Sequence, residues 1–249
     1  MTHFAAVVFD MYGTLTRSWA KSYWDAQKRQ CAVPLGIAAD DAALMQAWIE
    51  ALDATWHERI VGEYGGIAGT FRAVAARIGI EPTQEQVTAA VESRYAAYRG
   101  FHDLRPDVLD TLRALRAEGR KIGLVSDCTD ELPDMWESLE LAPLVDSAVF
   151  SSREGTRKPD PKLFRAAAER LGVPAEQCLY VGDGGGDELA GSAAVGMTPV
   201  LLAADDWAEN HAPGRPEDAW RGLRATAVAE LPGILDRLEH PEYLEHPQT

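Results

Sequence analysis

No two cysteines of the chain stand at CxxC spacing. The three present, Cys31, Cys128 and Cys178, are odd in number and far apart. That fits a reducing compartment better than a disulfide framework. Basic residues are also short. Lys and Arg number 24 against 39 Asp and Glu, a formal net charge of -15, where a nucleic-acid binder needs a basic patch or stripe. No apolar segment approaches the length of a membrane span. The N-terminus runs straight into a strand-like stretch, without the charged and apolar regions of a signal peptide. The expected location is therefore cytoplasmic, with neither nucleic acid nor membrane as partner. Hydrophobic residues at 46% and charged residues at 25% are enough for an ordinary packed core. At 249 residues, one large domain and a core carrying an insertion are both open.

What is present centres on residues 4–16. Phe4 to Phe9 is a short apolar run that ends on Asp10 and turns at once on Gly13. Such a run reads as a buried strand of a parallel sheet. Asp10 then lies at the carboxyl end of that strand, where open α/β sheets bind ligands. From Arg17 to about His102 the periodicity becomes helical, with apolar faces such as Leu44, Trp48, Ala51 and Leu52, or Phe71, Val74, Ala75 and Ile78. Roughly four helices are expected there. Beyond them, strands at 121–126, 147–150, 178–182 and 199–202 alternate with helices at 105–116, 132–139 and 161–171. A last helix covers about 227–238. The fold class is α/β: a parallel sheet with helices on both faces, residues 1–16 and 103–249 forming the core and 17–102 a helical cap. Residues 205–222 read as a surface excursion that Trp207 and Trp220 pin to the body.

All carboxyl ends of a parallel sheet share one edge. That edge should gather Asp10, Ser126, the 155–160 loop with Lys158, and the run Asp183-Gly-Gly-Gly-Asp187. Clustered carboxylates repel unless a cation neutralises them, and hard oxygen ligands suit Mg²⁺. A hydroxyl, a lysine and glycine backbone would hold phosphate oxygens, which is most of what phosphoryl transfer requires.

Four motifs in this order resemble those of the haloacid-dehalogenase-like (HAD) superfamily over nearly the whole chain. They are Asp10-Met-Tyr-Gly-Thr-Leu15, Ser126 after its strand, Lys158-Pro-Asp-Pro161, and Val181-Gly-Asp-Gly-Gly-Gly-Asp187 continuing to Met197. The resemblance implies a Rossmann-like core with an all-helical cap inserted after the first strand. It implies Asp10 as nucleophile, Ser126 and Lys158 as phosphate ligands, and Thr14 orienting the flap. Mg²⁺ would be held by Asp10, the Tyr12 carbonyl and Asp183, with Asp187 direct or one shell out. Tyr12, Gly13 and Asp127 join Ser126 and Lys158 at the substrate, with Arg17, Trp19, Tyr23, Arg59 and Tyr64 expected to line the cleft from the cap side. A monomer or homodimer is expected.

One departure matters. Most phosphatases of this superfamily carry an acid/base Asp where this chain has Tyr12. Tyr there resembles the 2-haloacid dehalogenases, which need no metal. Those enzymes, however, lack the Gly182-Asp183 type of fourth motif and carry a Tyr where this chain has Phe164. Their cap arginine has no counterpart near Arg17 or Arg29. The retained carboxylates favour a Mg²⁺-dependent phosphohydrolase of a small phosphorylated metabolite. The alternatives are a metal-independent dehalogenase or a ligand-binding member without turnover. The missing proton donor could be replaced by an activated leaving group, or by His57, Glu58 or Tyr64 from the cap.

Overall fold

In a computed structural model the chain is described over residues 3–207 and 219–244. Six parallel strands make one sheet in the order β3-β2-β1-β4-β5-β6. These are β1 (Ala6–Phe9), β2 (Lys121–Ser126), β3 (Ser147–Phe150), β4 (Cys178–Gly182), β5 (Thr198–Leu202) and β6 (Leu223–Ala225). β1 lies between β2 and β4, with Phe9 opposite Leu124 on one side and Val181 on the other. It is wholly buried, as its unbroken apolar run requires. β6 was not expected from the sequence: three residues, with only Ala225 buried, carry too little pattern to stand out.

Between β1 and β2 come five helices of the insert, α1 (Lys21–Ala32), α2 (Ala42–Ala54), α3 (Trp56–Ile60), α4 (Ile67–Arg77) and α5 (Gln84–Tyr98), followed by α6 (Val108–Ala117) against the sheet. The five have a hydrophobic cluster of their own, built on Trp48, Phe71, Val74, Val87 and Ala90. Two further clusters fill the two faces of the sheet. The expected four insert helices are thus four long ones plus the single short α3.

Downstream of β2 lie α7 (Glu131–Met135), α8 (Ser151–Glu154), α9 (Pro161–Leu171), α10 (Glu188–Ala194) and a C-terminal helix, Leu231–Glu239. α9 begins on an Asp160 cap with Pro161 in its first turn and stops at left-handed Gly172, as the Pro-start, Gly-stop asymmetry dictates. The helix expected at 132–139 is shorter: α7 ends at Met135 and a separate tight turn, Trp136–Ser138, follows. Most of the expected 205–222 excursion lies outside the described residues. No described helix is long and apolar enough to cross a membrane.

Candidate active site

Sheet order alone brings β1, β2 and β4 side by side, so their carboxyl ends present Asp10, Ser126 and Asp183 together. Asp10 is buried, and its backbone N–H donates to the Val181 carbonyl at 2.9 Å. The chain then turns through Gly13, whose φ of 82° suits glycine. A Cβ there would stand 2.3 Å from an Asp183 carboxylate oxygen, so glycine also lets the first loop press onto the fourth. Arg105 locks that loop from outside. It donates to the Thr14 and Gly13 carbonyls at 3.0 and 2.9 Å and pairs with Asp206 at 2.7 Å. Trp207 donates its indole N–H to the Asp183 carbonyl at 2.8 Å, which ties down the start of the excursion.

Lys158 is the hub. Its buried ammonium lies 2.5 Å from Asp10 Oδ1 and 2.5 Å from Glu188 Oε2. Glu188 also accepts from the Tyr180 hydroxyl at 2.7 Å and the Gly184 N–H at 2.9 Å. Gly182 makes room for it, since a Cβ at that position would sit 2.0 Å from Glu188 Oε1. Asp127 accepts from the Lys158 backbone N–H at 2.9 Å and so fixes the lysine's loop. The Ser126 and Thr14 hydroxyls are buried, and neither makes a hydrogen bond of good geometry.

The Lys158 ammonium pairs with two acids, Asp10 and Glu188, and a third, Asp183, stands beside them. Burial raises the Asp10 carboxyl to about 6, with Lys158 opposing and Asp183 adding to the rise. Burial likewise lifts Glu188 to about 8, against the pull of Lys158. Asp10, Asp183 and Glu188 each offer an oxygen within 4.8 Å of the others. Such a surplus of buried negative charge is costly when uncompensated. Hard oxygen donors around that surplus fit a divalent cation, so the residues present suit Mg²⁺. Lys158 and the two buried hydroxyls fit phosphate oxygens by the same test.

Glu188 was not among the residues expected at the site, and Asp187 beside it is exposed. Gly184, Gly186 and Asp187 all have left-handed backbone (φ 97°, 65° and 54°). The added twist leaves Asp187 outside the cluster and turns Glu188 inward. Glu188 had not been singled out. Its spacing with the buried Leu189, Gly191 and Ser192 of α10 is the signal that could have marked it as inward-facing.

Over the strand ends lies a cavity of about 740 Å³ between core and insert. Tyr12, Asp127 and Thr129 line its floor; Trp19, Trp24 and Arg59 are among its cap walls. Of the five cap residues expected there, Trp19 and Arg59 line the cavity. Tyr23 stacks behind Trp19 with ring centroids 4.5 Å apart. Arg17 points to Asp103, at 3.8 Å, and is half exposed. Tyr64 accepts from Arg77 outside the cavity. Neither His57, which is exposed, nor Glu58, paired with Arg77 at 3.4 Å, lines it. Tyr12 joins its hydroxyl to that of Tyr98 at 2.6 Å. Burial first, then the neighbouring phenol, keeps it protonated well above the usual tyrosine range.

Residues 4–194 match the family model for haloacid dehalogenase-like hydrolase. Among curated proteins, the chain is 34% identical to a glyceraldehyde 3-phosphate phosphatase of Methanopyrus kandleri over 149 residues, 58% of this chain and 63% of that one, so the match spans less than two thirds of that relative. It is 31% identical to a phosphoglycolate phosphatase of Rhodospirillum rubrum over 211 residues, covering 80% of this chain and 79% of that one. Among solved structures, a 2-haloacid dehalogenase from Pseudomonas syringae pv. Tomato superposes with a TM-score of 0.67 at 23% identity, covering 94% of this chain and 99% of that one. A HAD phosphatase from Thermococcus onnurineus gives 0.61 at 22%, covering 92% and 97%. At those identities the structural likeness concerns the fold alone.

Proposed function

The chain belongs to the haloacid dehalogenase-like hydrolases, and from that premise we propose that it is a Mg²⁺-dependent phosphohydrolase acting on a small phosphorylated molecule. The observation that carries this reading is the cluster of three acids, Asp10, Asp183 and Glu188, of which Lys158 pairs with Asp10 and Glu188. A carbon-centred dehalogenase has no use for that cluster. Curated relatives named as phosphatases support the same choice.

In this reading Asp10 and Asp183 hold the ion, with the Tyr12 carbonyl as a further oxygen, and Asp187 is left aside. When bound, Mg²⁺ supplies positive charge against the phosphate oxygens. Lys158, Ser126 and Thr14 orient the phosphoryl group. An Asp10 carboxylate oxygen bonds to phosphorus as the ester P–O bond breaks, and the departing oxygen keeps the electron pair. Water then attacks phosphorus, loses its proton to solvent and returns the Asp10 carboxylate with inorganic phosphate. Glu188 keeps Lys158 charged and aimed.

Phosphate release from a broad panel of phosphate esters, with and without Mg²⁺, tests the proposal. Release that needs Mg²⁺ and disappears in Asp10→Asn is expected. Halide release from 2-haloacids that persists in EDTA, with no phosphate from any ester, would overturn it.

A further inference from the structure

The cap cavity is larger and more aromatic than a two- or three-carbon phosphoester requires. Its volume of about 740 Å³ is that of sites which enclose ligands of many more atoms. Trp19, Trp24, Trp56, Phe71, Tyr12 and Tyr98 contribute to its walls. Such faces gain most from covering a flat apolar group.

Four cations also line it, and Lys21 is held by Asp25 at 2.5 Å. Lys28 is held by Asp25 at 3.0 Å and Asp53 at 2.5 Å, and Arg94 by Glu131 at 2.5 Å. Arg59 has no such partner: among the described residues no carboxylate pairs with it. It is 9% exposed, donates from one Nη to the Leu52 carbonyl at 2.9 Å, and lies 5.3 Å from the centre of the Trp56 ring. Its Nε–H is buried and unpartnered. Burial draws its pKa down to about 10, which still leaves it charged at neutral pH. Glu131 and Asp53 offset its charge only from a distance, so the spare buried donor still favours an anion in direct contact.

At the floor, the Tyr12 hydroxyl is committed to Tyr98, so that position offers no carboxylic acid to a leaving alkoxide. We propose that the substrate is an aryl phosphate, the phosphate ester of a phenol, with its ring among the cap aromatics and a ring carboxylate against Arg59. This rests on the phosphohydrolase reading. As the bond from Asp10 to phosphorus forms, the phosphorus–aryl oxygen bond breaks and its electron pair leaves as phenolate. A phenol has a pKa near that of tyrosine, about 10, so its anion departs without a proton and takes one from water afterwards.

The test compares kcat/KM, with Mg²⁺, for 4-carboxyphenyl phosphate, phenyl phosphate, benzyl phosphate and phosphoglycolate. The benzyl ester keeps the ring but leaves as an alkoxide. The expected order is carboxyphenyl, then phenyl, then the other two, with steps of about tenfold or more. Arg59→Met should raise KM for the carboxyphenyl ester about tenfold or more, well beyond its effect on phenyl phosphate. Arg59→Lys should recover part of the loss. A preference for phosphoglycolate or benzyl phosphate, or equal damage to both aryl esters, would overturn the proposal. Calorimetric titration with the product, 4-hydroxybenzoate, separates the two layers. Phosphate released from other esters while 4-hydroxybenzoate fails to bind would sink this inference alone. No phosphate from any ester would sink the phosphohydrolase reading, and the aryl ester with it.

Discussion

Gly182 shows how closely single atoms are matched around the carboxylates. The Glu188 carboxylate occupies the space a Cβ would take. Gly182→Ala should therefore destabilise the fold by about 1–3 kcal/mol through overpacking, read by urea denaturation, and should weaken catalysis by displacing the group that holds Lys158. Tyr12 gives the opposite kind of test. Tyr12→Asp restores an acid where the chain lacks one, and should raise turnover of alkyl phosphates such as benzyl phosphate by about 10²-fold, within the usual worth of a general acid. An unchanged rate would mean that protonation does not limit those esters. At this scale the sequence was partly legible. Asp10, Ser126 and Asp183 each end a strand or open its loop, where position follows from topology, and Lys158 lies in the loop after α8 that follows β3. Glu188 was not legible, because three left-handed positions close together, Gly184, Gly186 and Asp187, decide which acid faces inward. Arg105 was equally hidden in role, since its partners are carbonyls of the first loop and Asp206 from far along the chain.

Among elements, the contact of α5 with α7 joins cap to core through a buried ion pair, Arg94 to Glu131. Burial alone would raise the Glu131 carboxyl; Arg94 outweighs it and holds the group below its ordinary value. Glu131→Gln strands the arginine and should cost about 3–5 kcal/mol, whereas replacing both partners by Met and Leu should recover most of it; urea denaturation of the three variants checks this. The C-terminal helix is stapled by Glu239, which accepts from the Phe4 N–H at 2.7 Å and from Arg120 at 2.8 and 2.9 Å. Those bonds to Arg120 outweigh burial and hold Glu239 at about 2. Its folded value lies below the unfolded one, so its stabilisation is full above the unfolded value of about 4.3 and fades as pH falls toward 2. Glu239→Gln should cost about 1.5–3 kcal/mol at pH 7, with the gap to wild type closing between those limits. Strands and α9 were legible because their apolar runs and Pro–Gly boundaries are local signals. β6 and the broken 132–139 helix were not, since both depend on what packs against them.

At the scale of the molecule, the parallel sheet places four separate stretches of chain on one edge, and the insert roofs them with an aromatic chamber. A cation bound there stabilises only the folded chain. At a Mg²⁺ concentration of about 100 times Kd the gain is about 2.7 kcal/mol, so the melting temperature should rise by about 5–10 °C and the rise should vanish in Asp183→Asn. The sheet and the inserted helices could be read from the alternation of patterns along the chain. The chamber could not, because its walls come from helices whose facing sides only assembly decides. The most direct measurement is a crystal structure of the protein grown with Mg²⁺ and beryllium fluoride, which mimics a phosphoryl group on a carboxylate. The expected result is fluoroberyllate joined to Asp10, a Mg²⁺ ion touching Asp10 and Asp183, and Lys158 turned to the fluorines. Lys158 still locked to Asp10, with neither ion nor fluoroberyllate between the two aspartates, would contradict it.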